Sequence, residues 1–307
     1  MKALVTGIDG FVGPYLAEFL DSQGIETTGT YLVSKIMGEN RFHMDVTNEA
    51  EVSEIIKKVR PDYIFHLAGF SSVASSFLNA EKCRKINVTG TESLLNAVID
   101  AGIKPRVLVV SSAEVYGKPV SIPINERHPL NPLSPYAESR IEQERLCANY
   151  IKKHRLHIVI SRSFNHSGPG QSDAFVLSNF SKQIALIEKG MQISLQVGNL
   201  DAIRDFSDVR DVVKAYYLLL KKGKRGETFN VCSGKGYAIK MLLGMLLKLS
   251  NKDIVAETDP ARLRPSDIPI LVGDNHACIA RTGWKPIIPI EKTLDDLLGY
   301  WRKKIDN

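Results

Sequence analysis

Thr6–Gly7–Ile8–Asp9–Gly10–Phe11–Val12–Gly13 decides the fold class of this chain. Glycines recur there every third residue, between a short apolar run at 3–6 and an amphipathic stretch at 11–22. A tight strand-to-helix turn needs unrestricted φ, and a pyrophosphate approaches backbone only where no Cβ intrudes. The helix start then offers free N–H groups and a partial positive charge to an anion. Three glycines can also serve a plain turn. Their place, directly after a strand and opening a helix, makes Gly7, Gly10, Phe11, Val12 and Gly13 the candidate cofactor-binding loop.

Outward from the loop, short β-branched apolar runs at 3–6, 27–31, 63–67, 107–111 and 158–162 alternate with amphipathic stretches. Those stretches lie at 11–22, 50–59, 92–101 and 135–153. Strand and helix in alternation predict an α/β fold, a Rossmann-type doubly wound parallel sheet covered on both faces. Beyond 162 the pattern loosens, with helices expected at 176–188, 208–220, 240–249 and 290–304, a strand at 228–231, and an irregular segment with Gly198 and Asp201 before 208. The simplest organisation is a Rossmann domain from 1–163 plus about 207–233. A smaller, partly interleaved substrate-binding lobe takes about 164–206 plus 234–307.

At 307 residues the chain is long enough to bury a substantial core. No apolar run is long enough to span a bilayer, and no cleavable signal precedes the first strand, so no membrane partner is expected. Cys83, Cys147, Cys232 and Cys278 are scattered without CxxC spacing, which predicts reduced thiols and a cytoplasmic setting. The formal net charge of +6 suits an acidic ligand such as a diphosphate. Without an aromatic-interleaved basic stripe, no nucleic-acid partner is expected. No metal site is expected either, because the histidines are dispersed; His66, in an apolar strand, reads as a core residue. Glu142 and Glu144 read as a solvated helix face.

The end of the second strand carries no Asp or Glu to hold a ribose diol, while Lys35 lies just beyond it. NADP is therefore the expected cofactor and NAD the alternative. Asp45 serves either the adenine region or the cap of a helix starting after Thr47.

Ser111 and Ser112 fall at the carboxyl end of a buried strand, where open parallel sheets bind ligands. Farther on, Tyr136 and Arg140 stand four apart on a predicted helix and so share a face. A cation beside a tyrosine favours the phenolate, which suits such a ring to proton transfer.

With the glycine loop, the DYIFHLAG run at 62–69, NVTGT at 87–91, Ser111–Ser112 and SPYAESR at 134–140, the chain resembles the extended short-chain dehydrogenase/reductases that modify nucleotide sugars. The resemblance covers essentially the whole chain. It implies that Ser112 and Tyr136 hydrogen-bond the sugar carbonyl and that Tyr136 exchanges a proton as hydride passes to or from nicotinamide. It also implies cofactor contacts from Val46, Leu67, Ala68, Gly69, Ser111, Tyr136 and Arg140, a substrate contact from Ser71, and a homodimer through the 92–101 and 135–153 helices. One position departs. The family has lysine four residues after the tyrosine and this chain has Arg140, which keeps the charge but is planar and bulkier. A non-catalytic nucleotide-binding homologue is therefore one alternative.

The segments FNHSGPGQ at 164–171, VGNLDA at 197–202, RDFSDVRD at 204–211 and LRPS at 263–266 resemble the GDP-mannose branch of that family. Asn165, Arg204 and Arg264 are the candidate substrate-binding residues, since guanidinium suits a diphosphate and an amide suits a sugar or phosphate. The resemblance implies NAD(P)H-dependent reduction of the C4 ketone of a GDP-6-deoxy-4-keto-hexose, giving a GDP-rhamnose-type product. Serine at the strand end suits a reductase. Glu114 stands where a dehydratase base would, so a GDP-mannose 4,6-dehydratase or a 4-epimerase is the alternative.

Overall fold

The computed structural model describes residues 1–33, 38, 40–262 and 268–306. In chain order the first half gives β1 (Lys2–Thr6), α1 (Val12–Ser22), β2 (Glu26–Tyr31), β3 (Arg41–His43), α2 (Glu49–Val59) and β4 (Tyr63–His66). It continues with α3 (Val73–Ser76), α4 (Ala80–Arg84), α5 (Gly90–Asp100), β5 (Arg106–Ser112), α6 (Pro135–His154) and β6 (His157–Ser163). The second half gives β7 (Asn165–Ser167), α7 (Val176–Glu188), β8 (Leu195–Val197), β9 (Ile203–Asp208), α8 (Val209–Lys222) and β10 (Thr228–Val231). The chain ends with β11 (Gly236–Ala238), α9 (Ile239–Lys248), β12 (Ala256–Thr258), β13 (Ile270–Leu271), α10 (His276–Thr282) and α11 (Ile290–Asp306).

Seven strands, among the described residues, form one sheet in the order β10-β6-β5-β4-β1-β2-β3, every neighbour parallel. This is the Rossmann-type α/β sheet. Strand order reverses at β1, so β2 lies on one side and β4 on the other. Loops leaving the carboxyl ends of β1 and β4 must diverge there, which opens the crevice where such sheets take ligands. Two apolar layers cover the faces. One joins Leu16, Leu20, Tyr216 and Leu219 to β1, the other Ile56, Leu94 and Leu95 to β4 and β5.

The helices follow local rules. In α2 the apolar side chains Val52, Ile55, Ile56 and Val59 make one buried stripe, and the Asn48 side chain caps the N-terminus. In α6, Ser134 caps by accepting from the Ala137 N–H, with Pro135 in the first turn, and Arg155 ends the helix in the left-handed region at φ 56°.

The remaining strands are short. β9 is their centre: β11 runs antiparallel along it, β13 and β7 parallel. This cluster packs with α7, α9 and α11 in a separate apolar core that includes Phe180, Leu242, Leu297 and Trp301. The sequence expectation of an irregular segment before 208 is corrected here, because β8 and β9 occupy it. Glu144 is corrected too. It is buried and ion-paired with Arg162, Oε2 to Nη2 at 2.7 Å, while Glu142 on the outer side pairs with Arg84.

Candidate active site

The glycine loop is shaped by close approaches. Gly7 has φ +70°, and a Cβ there would lie 2.9 Å from the Ala68 backbone. A Cβ on Gly13 would lie 2.4 Å from the Ile8 carbonyl oxygen, so α1 can start this near β1 only without a side chain. Thr6 Oγ1 accepts from the Ala68 N–H at 3.1 Å, which ties the loop to Leu67–Ala68–Gly69 across the crevice. Phe11 stacks on His166, ring centroids 6.1 Å apart and 9° from parallel, so the loop also leans on β7. Val12 follows at the first position of α1.

Asp9 is a loop residue whose part the sequence pattern did not reveal. Its Oδ2 accepts from the backbone N–H groups of Leu32 and Val33 at 3.3 and 3.2 Å, just past β2. Lys35, on which the NADP expectation leaned, lies outside the described residues, as does Arg264. Asp45 accepts from the Thr47 N–H and hydroxyl, both onto Oδ1, while Asn48 makes the cap of α2. The capping role considered for Asp45 is therefore corrected; it shapes the turn before the cap. Val46 is buried against Gly90, where a Cβ would come within 2.7 Å of its Cγ2.

At the end of β5 the side chains alternate faces. Ser111 donates to Glu144 Oε1 at 2.6 Å, so its hydroxyl is committed behind the sheet and only its main chain is left to meet a cofactor. Ser112 Oγ caps the following turn by accepting from the Glu114 N–H at 3.2 Å. Glu114 itself is half-buried in that turn.

Tyr136 lies in the first turn of α6 and its backbone N–H donates to Ser76 Oγ at 3.2 Å, which ties the start of α6 to α3. The Arg140 guanidinium carbon stands 5.2 Å from the centre of the Tyr136 ring. Only 5% of Arg140 is exposed, and its nitrogens are shared out. Nη1 donates to Val110 O and Gln143 Oε1, both at 3.0 Å, and Nη2 donates to Phe70 O at 3.2 Å. Nε is buried with no partner among the described residues. Gly69 is held close here, since a Cβ on it would lie 2.9 Å from Arg140 Nη2. Beneath them Tyr216 shares a hydrogen bond of 2.7 Å with Ser163, the residue aligned with Ser112 across β5 and β6. Burial pushes the Tyr216 phenol up to about 12, which keeps it neutral.

The glycine cradle, the crevice between β1 and β4 and the orphaned Nε fit a dinucleotide. His66, below, is hydrogen-bonded on both ring nitrogens, to Thr6 and Thr91, as a core residue should be. Burial, then the nearby Arg140 charge, holds it down to about 3, so it stays neutral.

A cleft of about 450 Å³ opens between α3 and the β9 cluster. Asn165 and Arg204 line it, together with Phe77, Asn179, Gln196 and Arg262. Ser71 is exposed on the loop before α3 and is not among the lining residues, although Val73 and Ala74 are. Arg262, which the sequence passed over, donates to Asn179 Oδ1 at 2.8 Å and brings a second cation to the cleft.

A family model described as GDP-mannose 4,6 dehydratase matches residues 4–297. The chain belongs to that family. Within it, the chain is 34% identical over 307 residues to the GDP-6-deoxy-D-mannose reductase of Pseudomonas aeruginosa, covering 99% of this chain and 98% of the relative. It is 28% identical to the GDP-mannose 4,6-dehydratase of Yersinia enterocolitica, over 97% of this chain and 93% of the relative. Among solved structures, RMD from Pseudomonas aeruginosa complexed with NADPH superposes with a TM-score of 0.88 at 32% identity, covering 99% of both chains. Membership of the GDP-mannose 4,6 dehydratase family agrees with the parallel sheet and the glycine loop. Among the described residues no group of three His, Cys, Asp or Glu could hold a metal ion, and no helix is long and apolar enough to cross a membrane.

Proposed function

We propose that this chain reduces the C4 ketone of a GDP-6-deoxy-4-keto-hexose with NADPH, giving a GDP-rhamnose-type product. The observation that carries the proposal is the end-to-end likeness, at 34% identity, to a GDP-6-deoxy-D-mannose reductase. The likeness to RMD with NADPH bound supports NADP as the cofactor, with NAD as the alternative.

Reduced nicotinamide supplies a hydride when bound. Tyr136 gives its phenolic proton to the oxygen that becomes the alcohol, and Ser112 donates a hydrogen bond to the same oxygen and turns the carbonyl toward the hydride. Arg140 keeps a positive charge against the Tyr136 ring, beside where the nicotinamide ribose would lie. Arg204, Arg262 and Asn165 supply charge and an amide for the nucleotide diphosphate and sugar in the cleft.

Mixing the purified protein with GDP-6-deoxy-4-keto-mannose and NADPH should give sugar-dependent loss of the reduced-nicotinamide absorbance. Tyr136→Phe should lower kcat by on the order of 10²–10⁴-fold while NADPH still binds. Full turnover in that variant would remove Tyr136 from the proton-transfer role.

The family match and the Yersinia relative favour a second reading, dehydration of GDP-mannose with Glu114 as the base. A dehydratase or a 4-epimerase recycles its nicotinamide. It would copurify with bound cofactor and turn over without added reductant. A non-catalytic homologue would gain activity only on Arg140→Lys. We place the protein in the cytoplasm as a homodimer through α5 and α6; a monomer in sedimentation would overturn the dimer.

A further inference from the structure

Gln143 lies three residues after Arg140 on α6 and is fully buried. Its Oε1 accepts from Arg140 Nη1 at 3.0 Å, and its Nε2 donates to Thr91 Oγ1 at 2.7 Å. Thr91 donates its own proton to the Asn87 carbonyl at 2.7 Å, so Thr91 Oγ1 accepts from every other partner. His66 Nε2, 3.0 Å from that oxygen, must therefore be the protonated ring nitrogen. His66 Nδ1 then accepts, from the Thr6 hydroxyl at 2.9 Å, while Thr6 itself accepts from the Ala68 N–H. Every direction in this line follows from one proton. It runs without a break from Thr6, beside Gly7, to the guanidinium, and none of Thr6, His66, Thr91 and Gln143 is more than 1% exposed.

The other acceptors on Arg140, Val110 O and Phe70 O, are main-chain carbonyls that remain whatever side chains surround them. Gln143 is the side chain that orients the fork. A planar guanidinium has three nitrogens to direct, where an ammonium is a single point of charge. Without Gln143, Nη1 would be held by the Val110 carbonyl alone, and the plane of the fork would tilt more freely relative to the Tyr136 ring.

We propose that Gln143 is a positioning residue for Arg140, setting the plane of the guanidinium against Tyr136 and locking it in register with the glycine loop. This rests on the reading that Arg140 meets the cofactor. The test is a double-mutant cycle of Gln143→Leu and Arg140→Lys, with NADPH affinity followed by nicotinamide fluorescence, and kcat and KM by absorbance. Gln143→Leu alone should weaken NADPH binding and lower kcat, each by about 10-fold, the scale of a hydrogen bond to a charged group, and leave the sugar KM unchanged. In the Arg140→Lys background the same change should cost less than about threefold, because the fork it orients is gone. Equal losses in both backgrounds would overturn the proposal, since a packing defect is indifferent to residue 140. Should Gln143→Leu not fold, Gln143→Met keeps the length and enters the same cycle. If the wild type binds NADPH but reduces no sugar, the proposed reaction fails, while the binding cycle still decides Gln143.

Discussion

The sheet half and the cleft half of this molecule are held together by different means. Around β1 and β4 the parallel ladder and two apolar layers fix the register. Around β9 the partner strands β7, β11 and β13 are two or three residues long, too short to fix their own alignment. There, buried carboxylates do it. Asp205 accepts from Ser233 N and Oγ, both at 2.7 Å, from Gly234 N at 2.9 Å and from Gly273 N at 3.3 Å. Asp208 caps α8 and accepts from Thr293 Oγ1 at 2.7 Å. Asp211 Oδ2 accepts from Ile287 N and Ile288 N, both at 2.8 Å. One short run of sequence thus gathers four later segments. A lobe built from short pieces is specified by its acceptors, a sheet by its ladder.

Removing an acceptor is the hardest blow to that distinction. Asp205→Ala takes the acceptor from four donors, of which the Gly273 N–H is buried, and should lower stability by on the order of 4 kcal/mol in urea unfolding. Sugar-nucleotide affinity should fall far more than NADPH affinity, and equal losses of both would show the halves are one cooperative unit.

Acid separates the halves next. His66 takes a proton near 6.5 when unfolded and only near 3 when folded. Between these the unfolded chain binds more protons, so stability falls as pH falls. Burial pushes Asp205 the other way, from 3.8 up to about 6, against the pull of its donors. There the folded chain binds more protons, so stability rises as pH falls from 6 toward 3.8. Each slope is about 1.4 kcal/mol per pH unit, and the two oppose each other. Asp205→Asn should therefore be more acid-sensitive than wild type between pH 6 and 4, by about 3 kcal/mol at the lower end. His66→Gln should be less sensitive. Unfolding free energies against pH check both, and parallel curves for the three proteins would refute the assignment.

The contrast also explains what the amino-acid order made legible. The glycine loop, α6 with its Ser134 cap, α7 and β10 are local patterns, and their residues identify them without partners. Tyr136 and Arg140 come together because one helix carries both. Glu144 was misplaced on a solvated face because its partner Arg162 arrives a whole strand later. The parts of Gln143, Asp9 and Arg262 depend on contacts with Thr91, the end of β2 and Asn179, none of them near in sequence. β9 looked irregular because three partners drawn from three segments make it a strand.

Gly13→Ala probes the sheet half at the cofactor loop. Its Cβ would press on the Ile8 carbonyl, rigid backbone that cannot step aside. About 1–3 kcal/mol of stability should go, and NADPH affinity with it, while the cleft keeps its nucleotide-sugar affinity. A fully stable variant with normal NADPH binding would mean the α1 start can shift freely.

The smallest effect compares two caps of the same kind. Asn48 caps α2 by accepting from the Ala50 and Glu51 N–H groups on an exposed turn, and it holds no other segment in place. Asn48→Ala should cost about 1 kcal/mol, the usual worth of a cap. Asp208 also accepts from the Arg210 N–H in capping α8, but in addition it ion-pairs with the Arg210 guanidinium at 2.7 Å and receives the Thr293 hydroxyl from α11. Asp208→Ala removes the cap, the Arg210 ion pair and the Thr293 bond together. Any loss beyond that of Asn48→Ala in thermal unfolding then measures what the ion pair and the Thr293 clamp add to an ordinary cap. If the two losses match, the carboxylates of the cleft half act as ordinary caps, and its short strands must be aligned by their apolar core instead.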